Sequence, residues 1–279
     1  MLAIARPPDL DLAIALAEEA DLPRAWYGLE AADPGPLRLI VVRGAPALDT
    51  LAGGRMPRWG AGFAAPGVRT IAVRADGGDP RRILRHELAH LALHAAVRTR
   101  VPLWFDEGYA AVAAGEIGRL GNLRLSLAVA RGRLPTLDEL DRALRGAEAG
   151  ADAAYALASS AVLFLARGHP SGELAPLLGR LRSGEGFASA VLATTGLTLG
   201  RFEVVWQRDV RRRYGWIVWL SAGGFWVLVA ILVLGAAYAR WRRDLPRRAA
   251  LDEGWEVPEA PESGAPDEPS RLDPGQSEP

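Results

Sequence analysis

The chain contains no cysteine and no lysine. The first absence excludes disulfides and thiolate ligands, so any metal bound here must be held by histidine and carboxylate. The second, in a chain rich in Ala, Gly, Leu and Arg, reads as a composition bias and not as a device for gripping nucleic acid, and no nucleic-acid partner is expected. Net charge is missing too, because thirty-three basic and thirty-three acidic residues cancel. The opening "MLAIARPPDLDLAIALAEEA" lacks a continuous apolar stretch, since Asp9 and Asp11 interrupt it, and so does not read as a signal peptide. Histidine is scarce, with four in 279 residues.

What is present is an ordinary globular balance, 49% apolar and 24% charged residues, enough for one good-sized core. A single long run departs from it. Gly215 to Ala239 carries no charge over 25 residues, which as a helix would measure roughly 37 Å against a hydrocarbon core of about 30 Å. Trp216 and Trp219 stand near one end and Tyr238 and Trp241 near the other, where aromatic rings favour a membrane interface. Residues 215–239 are therefore expected to cross a cell membrane once, with the lipid bilayer as a partner. Arginines flank the run on both sides, four at 208–213 and five at 240–248, so the charge rule does not orient it.

Texture divides the remainder into an N-terminal helical segment (1–32), a main domain (33–207), a basic juxtamembrane stretch (208–214) and, after the span, a basic and then acidic Pro-rich tail (240–279) expected to be disordered. "PLRLIVVR" (36–43) and "VRTIAVR" (68–74) are β-branched runs bounded by Gly and Pro, and are expected to be strands of a small sheet. The segment between them, "LAGGRMPRWGAGFAAPG", reads as a loop or irregular hairpin. After Asp79 helical spacing dominates, and Thr136 to Glu139 forms a capping-box pattern. The fold class is thus α+β: a small N-terminal sheet, then a mainly helical region, then one membrane helix.

Chemistry concentrates in "RHELAHLALHAAVRTRVPLWFDEGYA", residues 85–110. Asp79 as N-cap and Pro80 at the first helical position start a helix on which His86 and His90 project from one face a turn apart, the spacing by which two imidazoles reach one zinc ion. Glu87 stands beside them without being a ligand, where it can take a proton from the attacking water. A third ligand is expected at Glu107, because Pro102 breaks the first helix and "WFDEGYAAVAAGE" reads as a second, its small alanines allowing close approach. Tyr109 lies about 200° around that helix from Glu107 and should point away. His94 sits roughly 12 Å along the axis from His86, too far to share its metal. His169 reads as a loop residue, and Trp104 and Phe105 as buried anchors of the second helix. The strand "TIAVR" could offer a backbone edge to an extended peptide.

At these residues the chain resembles the gluzincin zinc metallopeptidases of the peptidase MA clan, whose pattern is H-E-x-x-H followed by W-x-x-E-G-x-A; here it reads "HELAH" at 86–90 and "WFDEGYA" at 104–110. The likeness is greatest to small bacterial MA-like peptidases, covers about residues 36–206 and is specific across roughly 82–115. It implies a zincin-like domain, Zn2+ as cofactor with His86, His90 and Glu107 as ligands, Glu87 as general base, a peptide or protein substrate, and a Tyr or His from a later helix over the metal, for which Tyr155 is the candidate. It departs from the thermolysin pattern at Ala111, where an acid would orient a ligand histidine; Asp106 or a backbone carbonyl must take that task. The competing reading is a membrane-tethered interaction module that keeps the fold without turnover. An intramembrane protease is disfavoured, because the motif lies more than a hundred residues from the only span.

Overall fold

A computed structural model describes residues 1–29, 35–54, 56, 60–116, 125–126, 128–129, 132–146, 151–215 and 225–252. The chain forms two compact units, Met1–Ala222 and Gly223–Pro279.

The first unit is mixed α and β, mostly helical, with one four-stranded sheet in the order β1-β2-β4-β3. Strands β2 (Arg38–Val42) and β4 (Thr70–Arg74) pair in parallel from Arg38↔Thr70 to Val42↔Arg74, as their β-branched runs lead one to expect. Two further strands lie in segments read otherwise from sequence. β1 (Leu2–Ile4), inside the N-terminal stretch expected to be helical, pairs in parallel with β2. β3 (Gly62–Ala65), inside the expected loop, pairs antiparallel with β4. Neither has strong propensity of its own; each is specified by the neighbour it pairs with. β4 is hydrogen-bonded on both sides, so the expectation that "TIAVR" offers a free edge is corrected: that edge belongs to β3.

Helices α1 (Leu10–Asp21) and α3 (Pro80–Ala96) pack on the sheet and on each other, while α2 (Ala45–Leu51) packs on β4. Leu39, Val41, Ile71 and Val73 supply the sheet's share of the core. Asp79 caps α3 by accepting from the amides of Arg81 and Arg82, with Pro80 first in the helix.

α3 stops at Val97, and after Pro102 the chain re-enters as α4 (Leu103–Ala113). α5 (Leu137–Arg145) opens with the capping box, Thr136 and Glu139 satisfying each other's backbone amides. Next come α6 (Ala151–Arg167), α7 (Ala175–Arg182), α8 (Phe187–Thr195) and α9 (Leu199–Tyr214). Orphan amides at helix starts are met from neighbours: Asp141 accepts from Trp104 N at 2.6 Å, and Glu203 from Leu137 N at 2.8 Å. Trp104 and Phe105 are buried as expected, Trp104 stacking on Phe202 and both meeting Phe187 edge-on. α4 and α6 approach each other closely. A Cβ on Gly108 would lie 2.6 Å from the carbonyl carbon and oxygen of Ala158, so only glycine lets the helices come this close.

The second unit contains α10 (Phe225–Asp252), which continues through residues 240–252 where the sequence suggests the start of a disordered tail. Alanine, leucine and arginine sustain it there, helped by an Arg240–Asp244 pair one turn apart. Among the described residues no helix is long and apolar enough to cross a membrane. Residues 216–224 of the charge-free run, and residues 253–279 of the expected disordered tail, lie outside the described residues.

Candidate metal centre and active site

Helical spacing puts His86 and His90 on the same side of α3, their rings 4.9 Å apart and nearly perpendicular. α4 returns across them and brings Glu107 between: its Oε2 is 3.4 Å from His86 Nε2 and 3.6 Å from His90 Nε2. With zinc–nitrogen and zinc–oxygen bonds of about 2.0–2.2 Å, ligand atoms on a tetrahedral ion stand roughly 3.3–3.5 Å apart. Glu107 thus stands from each histidine at about the separation a tetrahedral metal requires, and all three ligand atoms lie within 4.8 Å of one another.

Each imidazole is oriented from behind. His90 Nδ1 is 2.7 Å from Asp106 Oδ1, and the other oxygen of Asp106 is 2.8 Å from His94 Nε2. His86 Nδ1 is 3.3 Å from Glu116 Oε1. A proton held at each Nδ1 leaves the Nε2 lone pairs facing Glu107, the tautomer a metal ligand needs. Asp106 therefore fills the task left open by Ala111. Its adjacency to Glu107 lets one helical turn serve both histidines of α3.

Glu116 has no signal in the spacing. It is brought back by the end of α4, a Schellman turn in which Glu116 N donates to Ala111 O and Gly115 N to Val112 O. Gly115 adopts φ +74 there, a left-handed conformation in which side chains are strained. The glycine of "AAGE" marks a helix end without saying where the next carboxylate goes.

Glu87 is 7% exposed, between the histidine pair and the start of β3, where a Cβ on Gly62 would fall 3.0 Å from Glu87 Oε1. Tyr155, on α6, has its ring 6.3 Å from that of His86 and its hydroxyl bonded to Glu107, so the structure brings this candidate to the same site. Tyr109 points away as expected: it is fully buried, stacked on Phe105, and its hydroxyl has no hydrogen-bond partner among the described residues. His169 lies in a turn, bonded to Ser171.

Charge explains why this cluster suits a cation. Three carboxylates, Asp106, Glu107 and Glu116, surround two imidazoles, and the surplus negative charge must be met by protons or by metal. Burial opposes charge on His86, yet Glu107 and Glu116 outweigh it and raise its pKa to about 9. Burial likewise opposes charge on His90, which Asp106 and Glu107 overcome, holding it well above the ordinary value. Glu107 is itself buried, but His86 and His90 draw it down to about 2. Glu87 goes the other way: burial pushes its carboxyl up, against the partial opposition of His86 and His90. A carboxylate so raised is a better proton acceptor near neutral pH than an exposed one.

Residues 49–212 match the family model of the peptidase MA superfamily. The chain belongs to the peptidase MA superfamily. That membership places it among peptidase-type hydrolases, and its His/Glu cluster could hold the metal ion on which such peptidases usually depend. No curated protein matches this MA-superfamily chain.

Proposed function

We propose that this MA-superfamily chain is a zinc-dependent peptidase of the gluzincin type, anchored to a membrane by residues 215–239. The observation that carries the peptidase reading is the convergence of His86 Nε2 and His90 Nε2 on Glu107 Oε2, at 3.4 and 3.6 Å, beside the buried Glu87. His86, His90 and Glu107 would hold the ion. When bound, zinc supplies Lewis acidity that polarises the scissile carbonyl and makes the attacking water more acidic.

The chain's own residues do the rest. Glu87 takes a proton from the attacking water as its oxygen bonds to the carbonyl carbon, then delivers that proton to the departing amide nitrogen as the C–N bond breaks. Tyr155, with its hydroxyl beside Glu107, donates a hydrogen bond to the carbonyl oxygen as negative charge builds there. Burial holds the Tyr155 pKa above its ordinary value, so the proton stays available for donation. β3 presents an edge unpaired among the described residues, and its first residue, Gly62, lies against the Glu87 carboxyl, which suits it to align an extended substrate backbone. For the membrane, the support is the charge-free run and the exposed apolar side chains of α10, among them Trp226, Ile231, Leu232 and Leu234.

The alternative, an interaction module without turnover, is disfavoured by Glu87, a buried carboxylate that a merely structural site would have no reason to keep beside the ligands. The test is elemental analysis of the purified full chain with peptide-library cleavage. One zinc per chain, lost in His86→Ala and Glu107→Ala, with cleavage abolished in a Glu87→Gln variant that still binds zinc, is the expected result. A folded chain that takes up no supplied zinc would refute the peptidase reading.

A further inference from the structure

Three of the four histidines lie on α3, and the metal centre draws on two of them. The third, His94, stands one turn beyond His90 on the same helix. Its Nε2 is 2.8 Å from Asp106 Oδ2, while Oδ1 of that carboxylate is 2.7 Å from His90 Nδ1. Asp106 is thus bonded through both oxygens, each to an imidazole of α3. Burial works to raise its pKa, but His90 and His94 outweigh burial and hold the carboxyl well below its ordinary range. An ionised carboxylate only accepts, so both imidazoles donate to it.

His90, His94 and Asp106 also lie close enough together to hold an ion. The contacts of 2.7 and 2.8 Å are nevertheless hydrogen-bond distances, shorter than the roughly 3.3–3.5 Å between atoms that share a tetrahedral metal. The trio is a bonded line and not a second metal site.

The two bonds of Asp106 do different work. The last torsion of an aspartate side chain is broad, so a carboxylate bonded through one oxygen alone can swing. Closing the other oxygen onto His94 removes that freedom, and His94 shares a rigid helix with His90, so the two donors stay in fixed relation. The carboxylate itself comes from α4, the helix that supplies Glu107, so the same bonds hold the two ligand-bearing helices in register.

We infer that His94 is a positioning residue for the metal centre: it fixes the Asp106 carboxylate so that His90 keeps its proton at Nδ1 and turns Nε2 toward the ion. The inference rests on the zinc reading for what is bound, and on the hydrogen bonds alone for how His94 acts. At 39% exposed, the His94 side chain adds little to the core, so its replacement should leave the fold in place.

The test is zinc affinity by chelator competition on the full chain, with cobalt(II) in place of zinc as a spectroscopic report on ligand geometry. His94→Ala should raise the zinc dissociation constant about three- to tenfold, the net scale of one hydrogen bond, and shift the visible cobalt band with one metal per chain still bound. His94→Gln, whose amide N–H can reach the same oxygen, should restore most of the affinity. A double-mutant cycle separates positioning from general structure: in an Asp106→Ala chain, His94→Ala should change zinc affinity no further, because the carboxylate through which it acts is gone. Undiminished affinity in His94→Ala, an equal loss with and without Asp106, or a second equivalent of metal that disappears with His94 would overturn the inference. A wild-type chain that binds zinc, matched by His94→Ala, would sink the positioning role and leave the peptidase reading standing; a wild-type chain that binds none would sink both.

Discussion

Asp106 Oδ1 lies 2.7 Å from His90 Nδ1, one residue before the carboxylate that faces the other nitrogen of the same ring. Two consecutive residues of α4 thus hold His90 from both sides. Loss of such an orienting carboxylate typically lowers metal affinity by about 10–100-fold. Asp106→Ala should therefore raise the zinc dissociation constant by that order in a chelator competition while His86→Ala and His90→Ala abolish binding. Unchanged affinity in Asp106→Ala would mean that His90 is oriented by something else.

Glu116 makes a separable prediction because its position depends on the turn before it. Gly115→Ala meets no atom within 4 Å, so its cost is that of a left-handed alanine, about 1–2 kcal/mol. Its thermal midpoint should fall, and zinc affinity with it as Glu116 is displaced. Glu116→Gln should leave the midpoint in place and weaken zinc about tenfold. Equal effects of the two substitutions on stability would contradict the division of roles.

The legible parts of this molecule are those set by local chemistry. The cap at Asp79, the His86/His90 spacing and the Thr136–Glu139 capping box are each decided within four residues, and each forms as the spacing predicts. Glu107 follows from a helix break at Pro102 and a count of residues. β1 and β3 are different, since three residues of "LAI" and four of "GFAA" carry no strand pattern and become strands only by pairing with β2 and β4. Glu116 meets His86 across a separation that no periodicity encodes. Tyr155 is implied by the resemblance and by no spacing.

Two tyrosines should respond in opposite ways. The Tyr109 hydroxyl is buried with no partner among the described residues, an arrangement that costs about 1–3 kcal/mol relative to a satisfied group. Tyr109→Phe should be neutral or stabilising by about 1 kcal/mol in denaturant unfolding, with turnover unchanged. Tyr155→Phe should leave zinc content intact and lower kcat by about 10²-fold, the scale of losing one donor to a developing oxyanion. A full-rate Tyr155→Phe enzyme would remove that residue from the chemistry.

Glu19 ties α1 to the helix that carries the histidines. Its carboxylate accepts from Arg85 Nε at 2.8 Å and from Arg24 at 3.4 Å, and Arg81 Nε stands 3.7 Å away. Burial works to raise its pKa, but Arg85 and Arg24 outweigh burial and hold it below the usual carboxylate range. A carboxyl depressed by folding adds stability that is fully present above its unfolded pKa and is lost as pH falls through the folded one. Because Arg85 is 41% exposed, solvent screens the pair, and the contribution should be about 1 kcal/mol or less. Wild type and Glu19→Gln should therefore differ by that amount in denaturant unfolding at pH 7, and the difference should close as the pH drops below the ordinary glutamate range. High salt should narrow it in the same direction. A gap that stays constant from neutral to acid pH would show that Glu19 acts through packing, and that the anchoring of α3 owes nothing to its charge.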